Sequence, residues 1–298
     1  MTMPHLQKVQ LNNGETIAYR IREGGEKIIL LLHGNMTSSV HWDIFFESYS
    51  KKYTLVAIDM RGFGESSYNE RISSIKDFSE DLKLFIETCE LTIFAMIGWS
   101  TGGAVAMQFV ADYADCCSKL ILLASASTRG YPFYDTKPDG TPDFLKRLQS
   151  KKEIESDASK TIPIQRAYES NNRELLRTVW NSLIYTHNQP EKARYERYID
   201  DMVTQRNLAD VYHALNTFNI SSSHNGLQLG SDQAKDISIP VLILRGDRDL
   251  VITTKMTNEI AEDLESVAVV EELKNCGHSP LIDDIDQLNG KIIQFIEA

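Results

Sequence analysis

The 298-residue sequence has little of what marks disulfide-rich, disordered or membrane-spanning chains. Glycine and proline number 16 and 8, well below the content of a low-complexity chain. No apolar run approaches the roughly 18 residues that cross a bilayer. Cysteine is too scarce and scattered for a disulfide framework or a Cys-x-x-Cys metal knuckle, so we expect reduced thiols at Cys89, Cys116, Cys117 and Cys276. These absences favour a folded protein without membrane insertion.

Basic residues are also in the minority. Lysine and arginine number 31 against 42 aspartates and glutamates, which gives a net charge of −11. An acidic surface repels phosphate backbones unless a basic patch reverses the field, and basic residues such as Lys151 and Lys152 are followed at once by Glu153 and Glu155. This distribution excludes a nucleic-acid partner. Residues 1–15 lack the hydrophobic core of a secretion signal, so we expect a cytoplasmic protein.

Strand and helix signals alternate over residues 1–128. Residues 16–21 alternate as a half-buried strand does, and a turn is predicted at Gly24–Gly25. Continuous apolar runs, typical of strands buried on both faces, follow at 28–32, 54–58, 93–97 and 120–123. Helical spacing marks 75–89, with Ser74 as predicted N-cap and Asp77 completing a capping box, and also 104–113. This alternation predicts an α/β fold with a parallel sheet covered on both faces.

The pattern changes over residues 129–228, where we find no strong strand signal and expect helices. Thr141–Pro142 is predicted to begin one of them, because threonine is a good cap and proline suits the first turn. The α/β pattern then resumes with strands at 241–244 and 267–270, a helix around 256–264 and a closing helix over 282–296. The sequence therefore predicts a core formed by residues 1–128 and 229–298, with 129–228 inserted.

The strongest chemical signal is Gly98-Trp99-Ser100-Thr101-Gly102, which fits the pattern Gly-x-Ser-x-Gly. It lies where that pattern has a physical purpose, after the strand at 93–97 and before the helix from Ala104. Such a sharp turn holds the serine at its tip, while the flanking glycines let neighbouring backbone approach without a clashing Cβ. We interpret Ser100 as a nucleophile.

Here the sequence resembles the α/β-hydrolase family, in which an acid and then a histidine follow the nucleophile along the chain. The loop Arg245-Gly246-Asp247-Arg248-Asp249 follows a buried strand and looks like the family's Gly-x-x-Asp loop. The resemblance implies Asp249 as the acid, since it follows the glycine by three positions, with Asp247 as the alternative. Asn275-Cys276-Gly277-His278 resembles the family's Gly-His loop, which implies His278 as the base and leaves Cys276 as a packing residue.

The resemblance also implies an oxyanion hole. One donor is expected to be the backbone N–H of Thr101, beside the nucleophile at a helix N-terminus. The other is expected from Asn35 in the loop that begins His33-Gly34, which looks like the family's His-Gly oxyanion loop. We interpret His33 as a residue that packs and forms hydrogen bonds within this loop.

Two further stretches are similar to family members. Asp59–Ser67 is interpreted as a strand-end turn that positions the site, with no catalytic role for Asp59 or Ser66. His33–Trp42 resembles the oxyanion loop of haloalkane dehalogenases, whose nucleophile is an aspartate. With Ser100 in that place, dehalogenation is disfavoured, because a serine alkyl ether is far harder to hydrolyse than an acyl enzyme. Serine hydrolases with similar loops include acyl-homoserine lactonases, carboxylesterases and C–C bond hydrolases.

The expected function is therefore hydrolysis of a small-molecule carboxylic ester, thioester or lactone through an acyl-serine intermediate. Perhydrolysis without a cofactor remains open as a side activity. A ligand-binding or signalling protein on the same fold is the alternative. No dinucleotide, phosphate-loop or zinc motif is found, so neither a cofactor nor a metal is expected. Residues 129–228 resemble the family's helical cap only in being inserted at the usual place. Their aromatic residues are expected mainly to pack the helices of this segment, among them Tyr131, Phe133, Tyr134, Trp180, Tyr185, Tyr212 and Phe218.

Overall fold

The computed structural model describes residues 4–298. Its strands are β1 (Leu6–Gln10), β2 (Thr16–Leu32), β3 (Tyr53–Ile58), β4 (Ile93–Trp99), β5 (Lys119–Leu123), β6 (Tyr134–Thr136), β7 (Pro142–Arg147), β8 (Val241–Gly246) and β9 (Ala268–Leu273). Its α-helices are α1 (Asp43–Ser48), α2 (Ile75–Thr88), α3 (Thr101–Asp112), α4 (Lys151–Glu155), α5 (Thr161–Glu169), α6 (Arg173–Leu183), α7 (Lys192–Met202), α8 (Leu208–Thr217), α9 (Thr254–Asp263), α10 (Pro280–Asp283) and α11 (Ile285–Glu297). Strands and helices alternate through both parts of the predicted core.

Seven strands form one sheet, in which β2 pairs with β1, β3 and β4, followed outward by β5, β8 and β9. Along the first half of β2, which starts with Tyr19 beside Ile58, successive residues pair with progressively earlier residues of β3. Along the second half they pair with progressively later residues and end with Leu32 beside Ile58. Strand β3 therefore lies between the two halves of β2. The chain passes from one half to the other at the predicted Gly24–Gly25 turn, where a Cβ on Gly24 would lie 2.2 Å from the carbonyl oxygen of Tyr53.

The central strands are buried on both faces, as their continuous apolar runs predict. Leu30 and Leu32 belong to the hydrophobic cluster on one side of the sheet, and Ile29 and Leu31 belong to the cluster on the other. Strands β4, β5, β8 and β9 pair in parallel with their neighbours, so their carboxyl ends meet at one edge. This carboxyl edge, where β2, β4 and β8 end, is where loops of an open α/β sheet form sites.

Helix α2 begins as its sequence predicts. The capping box between Ser74 and Asp77 is present, and the Asp77 carboxylate accepts the N–H of Ser74 at 3.0 Å. The helix buries Phe78, Leu82 and Phe85 against the sheet and exposes its polar face. Periodicity and cap residues agreed in this segment, which explains why its start could be predicted.

The prediction that Thr141–Pro142 begins a helix is wrong. Strands β6 and β7 form an antiparallel hairpin there, with Thr136 paired to Pro142. The carbonyl oxygen of Lys137 accepts the N–H of Gly140 at 2.9 Å, and Gly140 adopts a φ of 85°, so a tight turn precedes the threonine. Local turn chemistry therefore decided the conformation of a segment whose cap residues also suit a helix.

The predicted closing helix is divided. Helix α10 ends at Asp283, and α11 starts after Asp284, whose backbone has φ −157° and ψ 83°. The Asp284 side chain accepts the N–H of Gln287 at 2.9 Å and so caps α11. The apolar periodicity runs through both helices, which hid the break.

Residues 129–228 are inserted between β5 and β8, and polar side chains hold this segment to the core. Asp43 of α1 accepts a hydrogen bond from Arg194 of α7 at 2.7 Å. Asp210 of α8 is buried and binds Arg71 at 2.9 Å and the Tyr68 hydroxyl at 2.5 Å. Burial alone would raise the pKa of Asp210, but these partners and Lys151 outweigh it and lower that pKa. The charge of Asp210 is thus part of the attachment.

We predict that Asp210→Asn lowers the free energy of unfolding by about 2 kcal/mol, because Arg71 and Lys151 lose their buried anionic partner. The measurement is urea unfolding at neutral pH. The exposed Asp200 of α7, which pairs with Arg173 of α6 at the surface, provides the matched control: Asp200→Asn should cost less than about 0.5 kcal/mol. Equal losses for the two variants would contradict the role given to Asp210.

Candidate active site

Ser100 lies at the turn between β4 and α3. Its backbone has φ 56° and ψ −114°, a conformation that residues other than glycine rarely adopt. The turn is possible because its flanking residues lack Cβ atoms. A Cβ on Gly98 would lie 2.4 Å from the carbonyl oxygen of Gly102, and one on Gly102 would lie 2.4 Å from that of Leu32. The N–H of Ser100 donates to Leu123 at 3.0 Å, which ties the turn to β5. Backbone packing therefore holds the Ser100 side chain at the carboxyl edge.

The loops after β8 and β9 bring Asp249 and His278 to Ser100. His278 Nε2 lies 3.1 Å from Ser100 Oγ, and His278 Nδ1 lies 3.0 Å from Asp249 Oδ2. His278 and Asp249 are both buried, and Ser100 is half-buried. This is the spacing of a nucleophile, a base and an acid that orients the base.

The Asp249 carboxylate is held as an anion. Its Oδ1 accepts the N–H groups of Val251 and Ile252 at 2.8 and 2.9 Å. Burial alone would raise the pKa of Asp249, but the adjacent His278 ring and these two N–H groups outweigh it and lower the pKa. A carboxylate at this position favours a proton on Nδ1 of His278 and leaves Nε2 free to face Ser100.

Asp247, the alternative acid, has a different partner. Its Oδ1 accepts the N–H of Cys276 at 3.2 Å, two residues before His278. Asp247 therefore orders the loop that carries His278, while Asp249 contacts the ring itself. Cys276 is buried, and this burial raises the pKa of its thiol to about 12. A thiol of that pKa stays protonated and is a poor nucleophile.

The two predicted oxyanion donors belong to two segments next to Ser100. Thr101 begins α3, where the first backbone N–H groups have no partner within the helix. Gly34 precedes Asn35 and packs so closely that an added Cβ would lie 3.2 Å from Ser100 Cβ. Asn35 is half-buried, and its Oδ1 accepts a hydrogen bond from Gln205 at 2.7 Å. Sequence reasoning missed Gln205, which stands 170 residues away in the inserted segment and has no motif.

His33 stabilises its loop. Its Nδ1 donates to the Gly34 carbonyl at 2.7 Å, and its Nε2 accepts the N–H of Met60 at 3.0 Å. Both ring nitrogens are thus used by a neutral imidazole, and a second proton would face another N–H. Complete burial lowers the pKa of His33 to about 4.

Asp59 and Ser66 also stabilise a loop, the one that follows β3. The buried Asp59 carboxylate accepts the N–H groups of Ser39 and Glu65, each at 2.9 Å. Ser66 Oγ donates to the Asp59 carbonyl at 2.5 Å and accepts the N–H of Ala18 at 2.8 Å. Both side chains fasten the loop after β3 to the neighbouring loop and strand.

The inserted segment contributes aromatic residues of two kinds. Trp180 and Tyr185 are buried against each other, with ring centroids 5.2 Å apart, and pack its helices. Tyr131 and Tyr212 are half-buried, and each lies against Phe133, with ring centroids 5.5 and 4.5 Å apart. Burial raises the pKa of Tyr131, and the Asp249 carboxylate contributes to this rise. Burial also raises the pKa of Tyr212, whereas the Asn35 side chain opposes that rise.

Within residues 4–298, no helix has both the length and the apolar character to cross a membrane. No group of three or more histidine, cysteine, aspartate or glutamate side chains in the same range is arranged to hold a metal ion.

Residues 27–285 match the profile of the family described as alpha/beta hydrolase fold, so the chain belongs to that family. It is 28% identical over 295 residues to monoacylglycerol lipase ABHD6 of Bos taurus, covering 94% of this chain and 78% of that protein. The esterase EaEST from Exiguobacterium antarcticum superposes with a TM-score of 0.74 at 17% identity, covering 98% and 99%. The enol-lactonase from Burkholderia xenovorans LB400 gives 0.73 at 18% identity, covering 98% and 100%. At these identities the solved structures establish the fold.

We predict that His33 makes stability depend on pH. Because its pKa is near 6.5 in an unfolded chain and about 4 in the fold, only the unfolded chain takes up a proton between those values. The stabilising contribution is therefore complete above pH 6.5 and is lost as the pH falls towards 4, by about 3 kcal/mol. Urea unfolding at pH 7.5, 5.5 and 4.5 should show a shallower decline for His33→Gln. Parallel curves for the two proteins would contradict this origin.

Proposed function

We propose that the protein is a serine hydrolase that cleaves small-molecule carboxylic esters, thioesters or lactones through an acyl-serine intermediate. One observation carries the proposal: the continuous contact from Ser100 Oγ to His278 Nε2 at 3.1 Å and from His278 Nδ1 to Asp249 Oδ2 at 3.0 Å. A serine hydroxyl is a weak nucleophile at neutral pH and requires a base at this distance. Binding alone does not require such an arrangement.

In the first step Ser100 Oγ attacks the substrate carbonyl while its proton passes to His278 Nε2. Asp249, held as a carboxylate, stabilises the imidazolium that forms. Negative charge develops on the carbonyl oxygen, and the N–H of Thr101 and the donor at Asn35 stabilise it. His278 then returns the proton to the leaving alkoxide or thiolate, and the acyl group stays on Ser100.

In the second step water attacks the acyl-serine carbonyl. His278 takes a proton from that water and later returns it to Ser100 Oγ, so the acid product leaves and the enzyme is restored. A lactone follows the same path, but its leaving alcohol stays attached to the acyl group as the ring opens. Thioesters need the least leaving-group assistance, because a thiolate is a weaker base than an alkoxide.

The substrate class is supported by the relatives as well as by the chemistry. The lipase, the esterase and the enol-lactonase with which the chain shares its fold are named for the hydrolysis of carboxylic esters, cyclic in the last case. The inserted segment lies over the carboxyl edge, contacting the loops after β2 and β3. We assign this segment the role of a cap that covers a bound substrate.

We predict that Ser100→Ala lowers kcat for p-nitrophenyl esters by at least about 10⁴-fold, because the acyl group loses its acceptor. The measurement is steady-state hydrolysis across a series from acetate to decanoate. Ser222→Ala, at an exposed serine of the inserted segment, serves as the control and should retain wild-type rates. Undiminished hydrolysis by Ser100→Ala would overturn the mechanism. A single burst by the wild type without turnover would favour ligand binding over catalysis.

The two neighbouring acids give a second test. We predict that Asp249→Asn lowers kcat by about 10³-fold or more, because an amide favours the wrong His278 tautomer and leaves the imidazolium uncompensated. Asp247→Asn removes only an acceptor for the Cys276 N–H and should cost less than about tenfold. Initial rates for both variants, with thermal unfolding to verify folding, check the assignment. The reverse order of losses would transfer the acid role to Asp247.

A further inference from the structure

The side-chain amide of Asn35 can face the site with either of two ends. Its NH2 end can donate to a substrate oxygen, whereas its oxygen end would repel a developing oxyanion. The two ends have nearly the same shape, so packing alone does not select between them. If Asn35 assists the reaction assigned above, a neighbouring group must fix which end faces inward.

The orientation can be traced back to a backbone carbonyl. The Arg61 carbonyl oxygen can only accept, and Asn207 lies 2.7 Å from it through Nδ2. The other end of Asn207 is therefore its oxygen, which accepts from Gln205 Nε2 at 2.9 Å. Gly62 leaves room for this approach, since a Cβ there would lie 2.5 Å from Asn207 Nδ2. The contact with Asn207 therefore requires the NH2 end of the Gln205 amide to face Asn207.

The same NH2 group of Gln205 also determines which end of the Asn35 amide faces Gln205. Its Nε2 has two hydrogens, of which one goes to Asn207 and the other to Asn35 Oδ1 at 2.7 Å. Its Oε1 accepts from the Tyr168 hydroxyl at 3.1 Å, which fixes the same orientation from the other side. Gln205 is buried, so water does not compete strongly for these bonds.

With Oδ1 committed to Gln205, the NH2 group of Asn35 points the other way. Asn35 directly follows Gly34, where an added Cβ would lie 3.2 Å from Ser100 Cβ, so the amide belongs to the loop that packs against Ser100. The NH2 group is therefore the end of Asn35 that Gln205 leaves available beside Ser100.

We propose that Gln205 is a positioning residue that fixes the amide of Asn35 with its NH2 group directed into the site. Gln205 belongs to the inserted segment and Asn35 to the core, so the donor is correctly oriented only while the segment is seated on the carboxyl edge. The inference rests on the proposed hydrolase function. Through this hydrogen bond the inserted segment would control the rate of the reaction as well as the access of substrate to the site.

The test compares kcat and KM for p-nitrophenyl ester hydrolysis. Gln205→Met keeps the volume but removes the donor, and we expect kcat to fall about tenfold with KM changed less than about threefold. Gln205→Glu can only accept and draws the Asn35 NH2 group away, so its expected loss is about 100-fold. Gln108→Met is the matched control. Gln108 of α3 is also buried, but it bonds to Gln233 and not to Asn35, so the rates of this variant should stay at the wild-type level.

The Asn35→Ala background separates positioning from general damage. If Gln205 acts through Asn35, Gln205→Met and Gln205→Glu lose most of their effect there, because no amide remains to be oriented. Equal losses in both backgrounds, or no loss in either, would overturn the proposal. If the Gln205 variants fail to fold by thermal unfolding, Tyr168→Phe replaces them, with an expected two- to threefold loss in kcat confined to proteins that retain Asn35.

Ser100→Ala, assayed in parallel, distinguishes the two levels of inference. Wild-type turnover that depends on Ser100 but is indifferent to Gln205 would overturn the positioning role alone. Turnover that does not depend on Ser100 would overturn both.

Discussion

Two backbone segments approach each other closely at the carboxyl edge, and this contact determines the geometry of the site. The turn after β4 presses against the loop after β2, and a Cβ on Gly102 would lie 2.6 Å from the carbonyl oxygen of His33. This contact fixes the Ser100 side chain, the start of α3 and the path of residues 33–35 in one step. Because carbonyl oxygens and glycines make the contact, side-chain repacking cannot relax it. The serine and both proposed oxyanion donors are thereby positioned before any substrate arrives.

Directional polar bonds accompany apolar packing where residues 129–228 meet the rest of the chain. Asp43, Asp210 and Asn207 each use directional bonds to the opposite part of the chain, through Arg194, Arg71 and the Arg61 carbonyl. Apolar contacts would hold the segment over a range of positions, whereas bonds of fixed direction hold it in one. That fixed placement is what permits an amide in the segment to orient an amide in the core.

The sequence was most informative where one local signal decides the structure. Continuous apolar runs predicted β4, β5 and β8, and the glycines around Ser100 predicted the turn, because each depends on residues adjacent in the chain. The helix expected from Thr141 failed, since the same residue types suit a hairpin and only Gly140 and its turn distinguish them. The role of Gln205 could not be predicted from the sequence, because its hydrogen-bond partner Asn35 is 170 residues away along the chain. Spacing alone left Asp249 and Asp247 as alternatives, whereas in the structure Asp249 contacts the His278 ring and Asp247 contacts the Cys276 N–H.

The insertion between β5 and β8 affects the entropy of forming the sheet, because its length sets the size of the loop that the pairing of these strands closes. Leu120 pairs directly with Val241, so the intervening residues form a loop whose closure opposes sheet formation. The entropy of closing a loop grows only logarithmically, by about 0.6 kcal/mol for each doubling of its length. An insertion of this size therefore costs the sheet about 2–3 kcal/mol more than a connection of a few residues would. As far as chain entropy is concerned, the pairing of the central strands therefore depends only weakly on the length of the connection between them.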